Sequence, residues 1–171
     1  MAENNGPDFL PNFLNDYHAL RAANDALREQ GIHWLVDSLS RLCADTNRAR
    51  FARAGDQATE IRTGLRPCEF RVENATMVGE ALGLRSGMNT LLIETGWPRE
   101  PKHGFVSGGG LARGRVRMSP NPTIDANLIA EIILKKDPAG QPVWYVVSGS
   151  RVPEPVSAAT LQNWFALLLR D

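Results

Sequence analysis

Between Thr95 and Met118 the chain reads TGWPREPKHGFVSGGGLARGRVRM, its densest concentration of residues that could do chemistry. Arg113, Arg115 and Arg117 recur at every second position. In a strand, residues two apart share a face, so these three guanidiniums would form one row, with Ala112, Gly114, Val116 and Met118 on the other side. Such a row can hold carboxylates or phosphates through forked hydrogen bonds. It can equally be a face whose arginines pair with Glu80, Glu94 or Glu131 on neighbouring strands. Trp97, His103 and Phe105 precede the row. With Trp144 they could line a pocket mouth in which His103 carries a proton near neutral pH. The alternative places the aromatic residues over a core edge and His103 in solvent.

Other chemistry finds less to stand on. Gly108, Gly109 and Gly110 are not followed by the helix, lysine and hydroxyl of a phosphate loop, so a mobile flap or a bulge is the expected role. The three histidines, His18, His33 and His103, lack the spacing of a helical zinc motif, and no metal site is expected. No nucleophile elbow is present, and neither Cys43 nor Cys68 sits in a reactive motif. The sequence points to no particular cofactor.

Charge is balanced overall, with 19 basic and 19 acidic residues, but unevenly placed. Residues 1–40 carry six acids and two bases, and residues 41–118 carry thirteen bases and eight acids. A basic middle could attract an anion or nucleic acid, through Arg48, Arg50, Arg53 and the row. A pI near 6.8 argues against a dedicated nucleic-acid binder. Sixteen arginines against three lysines is the bias of a GC-rich, bacterial-like coding sequence. Without a signal-like N-terminus or an apolar run long enough to span a bilayer, the expectation is a cytoplasmic protein with no membrane partner.

The elements that must position these residues follow from periodicity. Residues 1–10 are polar and read as a disordered tail. Residues 11–54 have helical spacing: Phe13, Tyr17, Leu20, Asn24 and Leu27 form one seam, and Ile32, Leu35, Leu39, Leu42, Thr46 and Ala49 another. The change of phase at Gly31, a residue suited to ending a helix, predicts two helices or one kinked helix, and the two-helix reading is adopted. Strands are expected at 68–73, 77–85, 89–97, 111–118, 128–135 and 143–147, with turns at Ser86-Gly87 and Asp137–Gly140. Ser157 should cap a last helix over 158–170, with Leu161, Trp164, Phe165 and Leu168 as its apolar stripe.

The fold class is thus α+β: two N-terminal helices, a curved, meander-like antiparallel sheet of five or six strands, and one C-terminal helix packed on the sheet. Residues 68–171 and the helical segment are expected to form one domain. The long N-terminal seam predicts a homodimer through these helices. The functional expectation is a non-catalytic binding or interaction module for an anionic small ligand or a protein partner. The alternatives are a nucleic-acid-binding protein and a small enzyme using His103 and an arginine. The ligand-binding candidates are Trp97, His103, Arg113, Arg115, Arg117 and Trp144.

Overall fold

In the computed structural model, residues 9–121, 125–147 and 152–170 are described, the side chains of 9–13 and of Asp56 excepted. The expected tail lies outside them, save its last two positions, which are helical. A single helix, α1, runs from Phe9 to Ala54. At 1.5 Å per residue its 46 residues extend about 69 Å. The expected break at Gly31 is therefore corrected. Gly31 is a contact point, not a helix end: a Cβ there would lie 2.6 Å from Leu134 Cδ1 and 2.8 Å from Cδ2. Its carbonyl also accepts a hydrogen bond from Trp144 Nε1 at 2.8 Å. Glycine is present so that helix and sheet can approach this closely.

Seven strands follow among the described residues, one more than the upper expectation: β1 (Arg62–Val72), β2 (Ala75–Ser86), β3 (Asn89–Trp97), β4 (Ala112–Ser119), β5 (Asn127–Lys136), β6 (Pro142–Val146) and β7 (Glu154–Pro155). They form one antiparallel sheet in sequential order, a meander. Strand β1 starts six positions earlier than expected, before Pro67. It is an edge strand, where a proline costs no interior ladder bond. The expected turns are present, with Gly87 (φ 60°) and Gly140 (φ 81°) supplying positive φ.

Helix α2 (Ala158–Leu168) is capped by Ser157, whose Oγ accepts from the Thr160 amide at 3.2 Å. Its Leu161, Trp164, Phe165 and Leu168 are buried, as the stripe predicts. They join Ile32, Leu35, Leu39 and Cys43 of α1 against Leu82, Leu84, Leu91, Ile93, Val116, Ile132 and Leu134. Both helices therefore cover the same sheet face. The opposite face carries the arginine row.

Candidate functional site

Alternation places Arg113, Arg115 and Arg117 on the sheet face away from the helices. Pairing across the strands builds rows there: Cys68, Gly79, Gly96 and Arg113 in one, Arg66, Ala81, Glu94, Arg115 and Glu131 in the next. Gly79 and Gly96 leave the middle of the first row without side chains. A Cβ on Gly79 would fall inside the Thr95 carbonyl oxygen, so the backbones of β2 and β3 close on each other here. Strands lie about 4.8 Å apart with a rise of about 3.3 Å per residue, so Phe70, three strands across and four residues along from Arg115, arises roughly 20 Å from it on a flat sheet. Yet the Arg115 guanidinium carbon sits 4.6 Å from the Phe70 ring centre. The sheet curls towards this side, and the small residues make room for the two long side chains to meet.

The row is already occupied by the chain's own acids. Arg115 Nε donates to Glu94 Oε2 at 3.0 Å, and Nη2 lies 2.8 Å from the same oxygen. Arg117 donates twice to the Ala126 carbonyl (3.2 and 3.0 Å) and lies 3.9 Å from Glu94. Arg113 lies 3.5 Å from Glu131 and 3.9 Å from Glu73. Its side chain is 9% exposed, and its Nε, among the described residues, is buried without a hydrogen-bond partner. Glu94 is itself 9% exposed. A carboxylate buried to that degree and held between two arginines is an internal ion pair.

The connection from Pro98 to Gly110 covers one end of this face. Gly104 packs on Ala75, and Val106 on the cluster of Phe70, Val72, Ala75 and Met77. Gly110 lies against Ile133. Ser107 Oγ donates to Glu73 Oε2 at 2.8 Å, so connection and arginine row meet at Glu73. That residue turns the chain from β1 to β2 with φ 54°, outside the usual range for a side chain of its kind.

The remaining candidates lie elsewhere. Trp97 is on the helix-covered face, with the Arg99 guanidinium 3.5 Å and that of Arg28 5.5 Å from its ring centre. Trp144 is on the same face, 1% exposed, and its indole N–H is the donor to Gly31. His103 ends a short 3-10 turn, and its Nδ1 accepts from the amides of Arg99 and Glu100, both at 3.3 Å. Beside it, the Lys102 ammonium, 2.7 Å from the Glu100 carboxylate, holds that carboxyl below its ordinary pKa. The structure brings the three arginines together and puts the sheet between them and both tryptophans.

Sequence reasoning assembled no pocket where a cleft is found between the two helix ends. The ends of α1 and α2 and the β2–β3 turn enclose about 670 Å³. Met88, 55% exposed, stands at this site with Leu168, Leu169 and Pro120 as further apolar lining. Arg50, Arg53 and Arg170 supply its charge. Arg50 is fixed, donating to the Thr59 carbonyl at 2.9 Å and to Ser86 Oγ at 3.2 Å. The guanidiniums of Arg53 and Arg170 have no hydrogen bond or ion pair among the described residues. Asn89 Nδ2 donates to the carbonyls of Leu168 and Arg170, tying the end of α2 to the turn. The signal available in the sequence was the basic end of α1. The apolar partners, Met88 and Leu168, are more than 30 and 110 residues away from it.

Among the described residues no group of three or more His, Cys, Asp or Glu side chains could hold a metal. No helix among them is long and apolar enough to cross a membrane. Neither a protein-family model, nor a curated protein, nor a solved structure matches the chain.

Proposed function

We propose that the chain is a non-catalytic binding module for a small anion with an apolar body, taken in the cleft between the ends of α1 and α2. One observation carries this reading: Arg53 and Arg170 present guanidiniums without a hydrogen bond or ion pair among the described residues, beside an apolar surface. The arginine row, by contrast, has Glu94 and Glu131 as counter-charges. Ligand sites characteristically combine apolar lining with a few convergent polar groups. Arg50, already anchored, would add a positioned third charge without losing further side-chain freedom. The enzyme alternative has less support, because His103 directs Nδ1 at its own backbone.

The test uses two chains of equal length and opposite charge, octanoate and octylammonium, titrated against the protein by calorimetry. Octanoate should bind at one site. A hydrogen bond to a charged group contributes about 1.5–3 kcal/mol, so Arg53→Ala should weaken binding roughly tenfold or more. Equal binding of both probes, or unchanged octanoate binding in the Arg53→Ala, Arg170→Ala double variant, would overturn the reading.

A further inference from the structure

Near its start, from residue 14, α1 is open to solvent. Residues 14–23 are exposed throughout, yet Leu14, Tyr17 and Leu20 are 53%, 54% and 58% exposed. An isolated helix of this length is marginal in water, and an apolar stripe along it asks for a partner. The direction of the stripe is fixed by helix geometry. At 3.6 residues per turn, Leu14 lines up with Ile32 and Tyr17 with Leu35, about five turns further along. Ile32 and Leu35 are buried against the sheet. The exposed stripe thus prolongs the line that packs on the sheet. Tyr17 and Leu20 themselves line one wall of a groove of about 330 Å³, whose other wall is the 98–104 connection.

We propose that two copies of this chain pair through these arms, antiparallel, with each arm's first turns entering the other copy's groove. A parallel partner on the stripe would run into the sheet that packs on the same line of the helix. An antiparallel partner leads away from it. In antiparallel seams the two kinds of apolar position face each other, which sets Tyr17 against the partner's Leu20. Charge fits the same arrangement. Between residues 9 and 20 the arm contains the acid Asp16 and no lysine or arginine. The groove is lined by Arg21, Arg28 and Arg99, alongside Glu100. Arg28 is committed to Asp25 and the Leu111 carbonyl, and Arg99 to Trp97. Arg21 has no partner among the described residues and is free to meet the acidic arm. This pairing uses the opposite end of α1 from the anion cleft and stands independently of it.

Sedimentation of the full chain from low to high micromolar concentration tests the proposal. The wild type should pass from monomer to dimer over that range. Leu20→Glu, a good helix former placed on the stripe, should remain monomeric with an unchanged melting temperature. Ala22→Glu, exposed on the opposite side of the helix, should still dimerise. Orientation is read by oxidation: a mixture of Tyr17→Cys and Leu20→Cys chains should cross-link faster than either chain alone. A wild type that is monomeric at every concentration, or a dimer indifferent to Leu20→Glu, overturns the pairing. Fastest cross-linking by Leu20→Cys alone overturns its antiparallel sense.

Discussion

Replacing Arg115 with alanine separates a structural arginine row from a ligand-binding one. Three contacts disappear together: the hydrogen bond from Nε to Glu94, the 2.8 Å approach of Nη2 to the same oxygen, and the stacking on Phe70. A hydrogen bond to a charged group contributes about 1.5–3 kcal/mol, and a partly exposed cation over a ring about 0.5–1 kcal/mol. Arg115 is 24% exposed, which screens part of this. Against that, Glu94 would stay buried with only Arg117, at 3.9 Å, as an ionic partner. The expected loss is about 2–3 kcal/mol. For a domain of this size about 2–4 °C of melting temperature accompanies each kcal/mol, giving a drop of roughly 5–10 °C. Arg48→Ala is the control, because its pair with Asp45 is 79% and 69% exposed and should contribute under about 1 kcal/mol. Thermal denaturation of both variants, with an Arg115/Glu94 double-mutant cycle, reads the coupling directly. Equal melting temperatures for Arg115→Ala and the wild type would refute the internal ion pair and return the row to the candidates for ligand binding.

Other expectations follow from close contacts and buried groups. Gly31→Ala gains about 1 kcal/mol of helix propensity but forces a methyl to 2.6 Å from Leu134, which is fully buried. Overpacking of this kind costs about 1–3 kcal/mol, so denaturant titration should show net destabilisation; a stabilised variant would contradict the close approach. Trp144→Phe removes the donor to Gly31 and should cost about 1–2 kcal/mol by the same measurement, a neutral result counting against that bond. Burial pushes the Cys43 and Cys68 thiols up to about 11 from 9.0, with the Glu94 charge adding to the effect at Cys68. The folded state then holds these protons more tightly than the unfolded chain. That stability is complete below about pH 9 and is lost as pH rises towards 11. Cys43→Ala should flatten the decline, and identical slopes would exclude the thiol.

Much of the fold was legible because alternation and helical spacing are local signals. The meander, the Ser86-Gly87 turn, the capped α2 and its stripe all follow from patterns within about a dozen residues. Gly31 misled because glycine has two uses, ending a helix and permitting close approach, and only the position of Leu134 distinguishes them. Strand β1 was cut short because residues 54–67 are polar and contain Gly55, Gly64 and Pro67, which together read as a connection. The acid partners of the arginine row were among those named from the sequence, but Glu73, which joins the row to the 98–110 connection, was not. Its turn contains no glycine, so nothing local announced it.

The segment richest in chemical residue types therefore supports the fold through its arginine row and Trp97, while the two proposed recognition surfaces lie at the two ends of α1. The reason is electrostatic as much as geometric. Curling the sheet towards its second face buries Glu94 and Arg113, and a buried charge must find a counter-charge in its own chain or carry a desolvation cost. Glu73, Glu94 and Glu131 supply those counter-charges. Arg21, Arg53 and Arg170 have no ion pair among the described residues. Each stands beside exposed apolar side chains, Tyr17 and Leu20 at one end of the helix and Met88 at the other. An arginine with no acid partner among the described residues, next to exposed apolar side chains, suits the proposed recognition of an amphipathic partner. The chain presents it at both ends of one rigid helix and has neutralised its most basic strand in between.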